Sequence, residues 1–441
     1  MKYKKVIISN GPQKIKGTVR LSGSKNATLP LLTATLLCDG PVHLKNIPNL
    51  TDISILINML QKLGTEIIWN EEELILNHKT NKTPKNIPEK LANKIRGSVL
   101  LLAPMLARYG EVILPMPGGC PIGQRPIDFH LYALEQLGAH FEIGSEYVKG
   151  LAPKGLNGGV IHFPKPTVTG TENAIMGAVV ANGYTEIFNP AFDSEIDELI
   201  RFLSLCGANI IKTESTIQIH GQGSLLKSAS TPFSIFSDRM EAGSLLVASA
   251  ITGGSIYLKY DRCPGLEPIL DHLNKMGMNI EFMSDGLKAS VVQPLKAVSF
   301  TTSPHPGFPT DLQAPFMALN CVTQGQSFVE EKIWEKRFFH AEGFKKMGAN
   351  LTIHDNRVDI LGVKNIHGAI VEAHDLRGSC ALLLLSLVAQ GQTIMVSPHH
   401  LDRGYEFFIN KLNMLGAQFQ KKLMNDEEIQ NVYDQQASLV A

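Results

Sequence analysis

The sequence is poor in cysteine, in aromatic residues and in net charge. Its 441 residues include six cysteines and two tryptophans, and aromatic residues make up 7%. The cysteines stand singly with no C-x-x-C pair, which argues against a disulfide scaffold and against structural zinc. Lysine plus arginine and aspartate plus glutamate both number 41, so the formal net charge is zero. A basic surface for nucleic acid or an acidic membrane is therefore not implied.

Long hydrophobic runs are also missing. The strongest apolar run, residues 381–389, is about half the length that spans a bilayer, and residues 1–10 lack the apolar core of a signal peptide. We therefore expect a cytoplasmic protein. P-loop, zinc-protease and serine-esterase motifs are absent, which excludes those three chemistries, and we expect neither a metal nor a cofactor. The length predicts two or three domains of ordinary globular composition.

A short phrase, in which an apolar residue or a cysteine precedes glycine, recurs six times along the chain. Successive glycines of this phrase are 74, 69, 70, 71 and 68 residues apart. Each follows an amphipathic segment such as 131–137 or 407–415, so it is predicted to cap a helix C-terminus. Strand-like segments follow, for example 65–69, 140–143 and 279–282. The six glycines are Gly64, Gly138, Gly207, Gly277, Gly348 and Gly416.

A second phrase has the same period: an apolar helix that ends at a glycine. Segments 27–37, 99–106 and 380–388 have no polar face, so these helices must be buried on all sides. Each unit of about 70 residues thus carries one buried helix, one amphipathic helix and several strands. Six units predict α/β layers with helices inside and sheets outside, three units per domain. The glycines of this phrase are Gly40, Gly110, Gly183, Gly254, Gly325 and Gly391.

A repeat architecture leaves open a scaffold or clamp without chemistry. A ring clamp on DNA should show an excess of lysine and arginine on its inner helices, whereas these helices are apolar. Polar residues do stand where buried helices begin: Lys25 with Asn26, Arg96, Asp238 with Arg239, and Asp375 with Arg377. Because helix N-termini bind anions, the set predicts a polyanion site. For any single arginine, pairing with a neighbouring carboxylate is the alternative.

Two further residues lie in sequence surroundings that are typical of catalytic residues. Cys120 lies in the loop 115–126, which holds three glycines and four prolines, and Arg125 nearby could lower its pKa so that the thiol acts as acid, base or nucleophile. The alternative is an exposed spectator thiol. Asp311 follows two prolines and could be a general base for a sugar hydroxyl. The alternative is an N-cap for a helix over 312–319.

Six segments together resemble one family. They are 21–27 (LSGSKNA), 117–130 (PGGCPIGQRPIDFH), 308–314 (FPTDLQA), 335–340 (EKRFFH), 375–377 (DLR) and 402–406 (DRGYE). They resemble the UDP-N-acetylglucosamine 1-carboxyvinyltransferases, a family of the enolpyruvyl transferase superfamily, over residues 5–422. The resemblance implies two inside-out α/β barrels, each of three repeats of about 70 residues. Residues 24–235 would form the first barrel, with the UDP-sugar contacts and the cysteine loop, and 1–23 plus 236–425 the second. Residues 426–441 are a polar tail that we expect to be disordered.

The resemblance also implies a reaction. Such enzymes transfer the enolpyruvyl group of phosphoenolpyruvate to the 3′-hydroxyl of UDP-N-acetylglucosamine and release phosphate. This commits the sugar to peptidoglycan, and so to cell wall biogenesis, cell shape and cell division, and it is the step that fosfomycin inhibits. The implied partners are these two small molecules, without nucleic acid or membrane. Two alternatives stay open: 5-enolpyruvylshikimate-3-phosphate synthase, and a silent paralogue that binds nucleotide sugar and regulates a partner.

Residue roles carried over from the family complete the expectation. Cys120 resembles the general acid that protonates C3 of phosphoenolpyruvate and can carry a covalent adduct, and Asp311 resembles the base facing the 3′-hydroxyl. Departures occur at Ser24, Gly97, Gly378 and Thr169-Gly170, but none removes a charged group, which favours an active enzyme. Phosphate ligands would be Lys25, Asn26, Arg125 and Arg403, with Arg337 and Arg377 on the carboxylate. Nucleotide-sugar contacts would be Arg96, Arg125, Pro126, Ile127, Asp128, Phe129, Lys165, Thr167, Val168 and Ile333, and Asp375 is also expected to contact substrate.

Overall fold

Two units divide the chain in a computed structural model, which describes residues 3–70, 73–78, 86–119, 123 and 125–432. Unit I consists of the described residues of 23–119 and 125–236. Unit II consists of those of 1–22 and 237–441, together with Gly123. Both mix helices with sheets, so the predicted α/β class is confirmed.

Helices occur in both units, some of them completely buried and others partly exposed. Those of unit I are α1 (Lys25–Ala34), α2 (Thr51–Lys62), α3 (Glu89–Ala92), α4 (Leu102–Tyr109), α5 (Asp128–Gln136), α6 (Val168–Ala178) and α7 (Ser194–Leu205). Those of unit II are α8 (Arg239–Ile251), α9 (Glu267–Met276), α10 (Gln313–Val322), α11 (His340–Lys346), α12 (Leu376–Ser386) and α13 (Phe408–Met414). Short 3₁₀ helices span Thr35–Leu37, Arg96–Leu101, Thr310–Leu312 and Pro398–Arg403.

The apolar helices are buried as predicted. Every residue of α8 and of α12 is buried, and α1 leaves only Asn26 partly exposed. The segment 99–106 differs from the prediction because it is divided between the 3₁₀ helix Arg96–Leu101 and α4. Pro104 gives a physical reason: a proline has no N–H to donate, and in the first turn of α4 that N–H would have no partner within the helix.

Six sheets repeat one pairing order. In unit I the sheets contain, from edge to edge, Phe233–Ser234, Val42–Lys45, Glu73–His78 and Thr65–Trp69; Glu111–Pro115, Tyr147–Leu151 and His140–Ile143; and Val160–His162, Asn182–Phe188, Thr216–Gln222 and Asn209–Lys212. A separate pair joins Leu226–Lys227 to Cys38–Asp39. In unit II they contain Lys16–Arg20, Ser255–Lys259, Gly286–Ser290 and Asn279–Met283; Phe300–Thr301, Gln326–Glu330, Arg357–Leu361 and Asn350–His354; and Ile366–His367 with Ile370–Glu372, Ala389–Val396, Lys4–Gly11 and Gln420–Met424.

Among the described residues, each of these six sheets has parallel pairing at one edge followed by two antiparallel pairings. In the last sheet, both Ile366–His367 and Ile370–Glu372 pair parallel with Ala389–Val396. In the sheet of His140–Ile143 the parallel pairing is the single bridge between Asn86 and Ile113. The N-terminal strand Lys4–Gly11 completes the last sheet by pairing antiparallel with Ala389–Val396 and Gln420–Met424. Six similar sheets, one for each unit of about 70 residues, are what the period of the two glycine phrases predicts.

The predicted helix caps are found at all six glycines of the first phrase. Their φ values lie between 89° and 106°, in the left-handed region that glycine enters without a Cβ penalty. Gly254 of the second phrase is an exception, because the positive φ of 60° belongs to its neighbour Gly253. The strands that were expected after the caps are Thr65–Trp69, His140–Ile143 and Asn279–Met283.

Among the described residues, two large hydrophobic cores share no residue: one lies in unit I and one in unit II. A third, small cluster joins Val6, Ile8 and Ile394 to Ile429, which is 8% exposed. Ile429 belongs to a helix over residues 426–432, part of the tail that the sequence analysis expected to be disordered. That expectation does not hold for this stretch, because the helix covers apolar side chains of the last sheet. Residues 433–441 lie outside the described residues.

Candidate active site

Lys25, the first of the expected anion ligands, lies at the start of α1. Ser24 is the N-cap, and its hydroxyl accepts a hydrogen bond of 3.3 Å from Ala27 N, which satisfies one of the free N–H groups of the first turn. Lys25 is buried, and its Nζ lies 2.8 Å from Asp52 Oδ2. The pairing alternative raised for basic residues at these positions therefore holds for Lys25 in this structure.

Arg96 and Arg125 place two positive charges close together in unit I. Arg96 Nη2 donates to the Pro126 carbonyl at 2.8 Å. A Cβ built at Gly119, whose φ is +132°, would lie 3.2 Å from both Arg125 Nη1 and Arg96 Cβ. Burial and the neighbouring Arg125 lower the pKa of Arg96 to about 10. Two like charges at this separation repel each other, so an anion between them would be stabilised.

The starts of α5 and α6 carry the remaining expected contacts of unit I. Lys165 is exposed, and its Nζ lies 5.8 Å from the centre of the Phe129 ring, within cation–π range. Thr167 is the N-cap of α6, and Val168 is its first residue. A Cβ at Gly170 would lie 2.6 Å from Thr167 Cγ2, which explains a glycine at this departure from the family pattern.

His130 of α5, which the sequence analysis did not single out, contacts Asn173 and Thr169 of α6. Asn173 Oδ1 accepts from Ala103 N, so Asn173 Nδ2 is the donor in its 2.7 Å contact with His130 Nδ1. The ring proton is therefore on Nε2, which donates to Thr169 Oγ1 at 3.1 Å. Burial and Arg96 lower the pKa of His130 to about 3. A neutral imidazole thus joins α5 to the beginning of α6.

Asp311 is the centre of the site in unit II. Its Oδ1 accepts from Arg337 Nη2 at 2.7 Å, and its Oδ2 accepts from Arg377 Nη2 at 2.8 Å and Arg377 Nε at 3.1 Å. The side chains of Arg337 and Arg377 are only 7% and 3% exposed, against 28% for Asp311. The alternative of an N-cap is wrong, because Asp311 lies inside the 3₁₀ helix Thr310–Leu312 and caps nothing.

The electrostatics of this cluster favour an anionic ligand. Burial alone would raise the pKa of Asp311, but the guanidinium groups of Arg377 and Arg337 outweigh it and hold that pKa well below its usual range. Arg377 Nη1 is buried and finds no hydrogen-bond acceptor in the described part of the chain. Two buried cations therefore face one carboxylate, with one donor left unsatisfied.

Asp375 and Arg403 lie on neighbouring elements of unit II. Asp375 is the N-cap of α12, where Oδ1 accepts from Arg377 N and Gly378 N, both at 2.9 Å. A Cβ at Gly378 would lie 2.7 Å from Asp375 Oδ2, so alanine would disturb this cap. Arg403 ends the 3₁₀ helix Pro398–Arg403 and is partly exposed. It and Asp375 both act on the pKa of His400, which is lowered by burial, His399 and Arg403.

Glu331 was missed by the sequence analysis although it contacts expected site residues. It is 2% exposed, and its Oε1 accepts from Ile333 N at 2.8 Å and from Trp334 N at 3.2 Å. Its Oε2 accepts from Thr310 Oγ1 at 2.8 Å. A glutamate directly after the strand Gln326–Glu330 was the available signal, but its partners are up to 29 residues away.

Cys120, the expected general acid, lies outside the described residues. Of the cysteines that the structure describes, four are buried and Cys263 is partly exposed, and all are free thiols. Burial raises the pKa of the Cys263 thiol well above its ordinary value. Within the described ranges, no group of three or more His, Cys, Asp or Glu side chains could hold a metal ion, and no helix is long and apolar enough to cross a membrane.

The fold agrees with comparisons to known proteins. The EPSP synthase (3-phosphoshikimate 1-carboxyvinyltransferase) family model matches residues 9–412. Among solved structures, the chain resembles the enolpyruvyl transferase NikO from Streptomyces tendae, with a TM-score of 0.84, 22% identity and coverage of 96% of this chain and 100% of that one. It also resembles an EPSP synthase from Acinetobacter baumannii, with a TM-score of 0.72, 17% identity and coverage of 95% and 100%. The chain belongs to the EPSP synthase family of enolpyruvyl transferases.

Curated relatives are more similar in sequence than these structures. The UDP-N-acetylglucosamine 1-carboxyvinyltransferase of Lawsonia intracellularis is 43% identical over 94% of this chain and 99% of its own length. The protein of the same name from Dichelobacter nodosus is 40% identical over 93% of this chain and 97% of its own length. These relatives confirm the resemblance that the six sequence segments indicated. Both carry the name of a transferase.

Proposed function

We propose that this protein transfers the enolpyruvyl group of phosphoenolpyruvate to the 3′-hydroxyl of UDP-N-acetylglucosamine, the first committed step of peptidoglycan synthesis. The observation that carries the proposal is the pair of buried guanidinium groups on Asp311, with Arg377 Nη1 unsatisfied. A carboxylate that accepted a hydrogen bond from Nη1 would satisfy that donor and add a negative charge beside two cations. Phosphoenolpyruvate carries such a carboxylate next to the carbon that reacts.

The reaction is an addition followed by an elimination. In the first step C3 of phosphoenolpyruvate gains a proton from Cys120, and the 3′-oxygen of the sugar forms a bond to C2 as Asp311 takes the hydroxyl proton. In the second step C3 returns a proton to the Cys120 thiolate and the C2–O bond to phosphate breaks, which yields the enol ether and inorganic phosphate. Lys25, Asn26, Arg125 and Arg403 stabilise the phosphate as it leaves.

Substrate binding would make Asp311 a better base than it is alone. With Arg337 and Arg377 both directed at its carboxylate, Asp311 has a pKa well below its usual range and accepts protons poorly. A substrate carboxylate on Arg377 shares the positive charge of that guanidinium and adds a negative charge nearby. Both effects raise the pKa of Asp311 towards its ordinary value, at the moment when the hydroxyl proton has to be accepted.

The remaining proposed roles belong to residues of unit I that match the motifs of the family. Arg96, residues 125–129, Lys165, Thr167 and Val168 hold the nucleotide sugar. The proposed architecture is two inside-out α/β barrels of three repeats each, over 24–235 and over 1–23 with 236–425. Six sheets of one pairing order among the described residues, and the complete burial of α8 and α12, support it.

Phosphate release tests the proposed function. The purified protein is mixed with phosphoenolpyruvate and either UDP-N-acetylglucosamine or shikimate-3-phosphate, and inorganic phosphate is measured. We expect release with the nucleotide sugar alone. Release with shikimate-3-phosphate instead would favour 5-enolpyruvylshikimate-3-phosphate synthase. Calorimetric binding of the nucleotide sugar without any release would favour the silent paralogue.

A further inference from the structure

A buried carboxylate outside the expected catalytic set organises the base cluster of unit II. Glu331 lies at the end of the strand Gln326–Glu330 and accepts four hydrogen bonds, three on Oε1 and one on Oε2. An ionised carboxylate only accepts, so each of its partners has to donate. The side chain is 2% exposed, so these donors take the place of the water that an exposed carboxylate would bind.

The bond to Oε2 determines the direction of the Thr310 hydroxyl. Thr310 Oγ1 lies 2.8 Å from Glu331 Oε2 and 2.7 Å from Arg337 Nη1. Because its single proton goes to Glu331, the oxygen presents its lone pairs to Arg337. The same guanidinium donates through Nη2 to Asp311 Oδ1 at 2.7 Å. The plane of a guanidinium is rigid, so fixing Nη1 also aims Nη2.

The bonds to Oε1 hold a second expected contact. Oε1 accepts from the backbone N–H groups of Ile333 and Trp334, and from Thr302 Oγ1 at 2.8 Å. Ile333 is an expected nucleotide-sugar contact. One carboxylate thus orders the backbone at Ile333 through one oxygen and the side chain of Arg337 through the other.

We propose that Glu331 is a positioning residue that, through Thr310, holds Arg337 on Asp311 and, through its other oxygen, orders the backbone at Ile333. The proposal rests on the proposed function for its catalytic consequence, but its geometry does not. Thr310 is the relay, and Thr302 bonds to the same carboxylate. Among the described residues, the side-chain hydrogen bonds of Arg337 and Asp311 do not involve Thr302. The two threonines therefore form a matched pair for substitution.

Kinetics of Thr310→Val test the relay. Valine keeps the shape and removes the hydroxyl, so kcat for enolpyruvyl transfer should fall by about tenfold to a hundredfold, the effect of a misaligned reactive group. The KM for UDP-N-acetylglucosamine should change little, because Ile333 stays bonded to Glu331. Thr310→Ser should restore kcat. Thr302→Val should keep kcat within about threefold even if the melting temperature falls, since Oε1 retains two backbone donors.

Crystal structures of the same variants separate this proposal from the proposed function. The Arg337–Asp311 contact should be lost or lengthened in Thr310→Val and kept in Thr302→Val, whether or not the wild type turns over. An intact contact in Thr310→Val would overturn the relay. So would kcat values that fall in parallel with the melting temperature in both valine variants. Glu331→Gln should change both kcat and the KM for the nucleotide sugar, because an amide has only one oxygen to accept with.

Discussion

At the scale of the residue, the same pairing that fits Asp311 for an anion site makes it a weak base. Two buried guanidinium groups hold its carboxylate ionised, and they outweigh the burial that would otherwise raise its pKa. A folded pKa below the unfolded value means that Asp311 contributes stability above about pH 4, and that this contribution is lost as the pH falls further. Its function and its contribution to stability therefore rest on the same ion pairs.

Asp311→Asn should lower turnover by about a hundredfold to ten-thousandfold, the usual range for an acid–base group. Asparagine keeps the shape but neither accepts the proton nor neutralises the buried guanidinium groups of Arg337 and Arg377. The melting temperature should therefore also fall, because buried charges are left uncompensated. Steady-state assays and thermal melts measure the two effects.

Asp359→Asn is the matched control for Asp311→Asn. Asp359 pairs with Arg357 at 2.7 Å, but both side chains are more than 40% exposed, and exposed pairs contribute little. Turnover and melting temperature should stay near wild type. A fully active Asp311→Asn would oblige the base to be another residue.

Thiol-directed epoxides of the fosfomycin type should inactivate the protein by modifying Cys120, and faster when UDP-N-acetylglucosamine is bound. Cys38, Cys206, Cys321 and Cys380 are buried, so they offer the epoxide no accessible thiolate. A peptide map should carry the label on Cys120, and Cys120→Ala should remain unlabelled. Label on Cys38 or Cys206 with Cys120 unmodified would contradict the assignment.

At the scale of the element, the N-terminal turns of several helices position residues of the site. Ser24 and Asp375 cap α1 and α12 through side-chain oxygens. His130, in the first turn of α5, bonds to α6 through Thr169 in its first turn and Asn173 in its second. The imidazole Nδ1 accepts from a side-chain amide. A second ring proton, on Nδ1, would therefore point at a hydrogen-bond donor. Burial also opposes the charged form of the imidazole.

His130 should make folding pH-dependent. Its pKa falls from about 6.5 in the unfolded chain to about 3 in the fold, so stability is present above pH 6.5 and is lost as the pH falls towards 3. His130→Gln has no titrating ring, and its urea midpoint should fall less between pH 6.5 and 4 than that of the wild type. Exposed His220 in the same unit provides the control His220→Gln, which should follow the wild type. Equal slopes in wild type and His130→Gln would contradict a neutral buried His130.

At the scale of the whole molecule, the part of the chain that the structure describes contains two large cores that share no residue. Each unit therefore has its own source of hydrophobic stability, since a core side chain is stabilised by the atoms it touches. Local opening of one core removes contacts from that core first.

Leu245→Ala and Leu134→Ala test this separation. Both leucines are fully buried, Leu245 in α8 of unit II and Leu134 in α5 of unit I. Each substitution should cost about 2–5 kcal/mol of local stability. Hydrogen exchange followed by mass spectrometry should show faster exchange mainly in unit II peptides for Leu245→Ala and mainly in unit I peptides for Leu134→Ala. Equal acceleration in both units by either variant would mean that the cores unfold as one.

The sequence by itself determined what depends on neighbours along the chain. A helix that must end turns left-handed at glycine, so six glycines spaced about 70 residues apart predicted both the caps and the repeat. Helices without a polar face had to be buried wherever they packed. The local motifs around Lys25, Arg125 and Asp311 indicated the enolpyruvyl transferase family because each is a contiguous stretch of sequence.

Only the tertiary structure decided which charges meet. Asp311 and Arg377 are 66 residues apart, and nothing in either segment distinguishes this pairing from a helix cap at Asp311. Asp52 as the partner of Lys25, the role of Glu331 and the helix that covers Ile394 at the C-terminus depend in the same way on chain segments that meet after folding. Periodicity reports the face that a residue presents, whereas a hydrogen bond or an ion pair needs two atoms within about 3 Å, a distance that the whole fold sets.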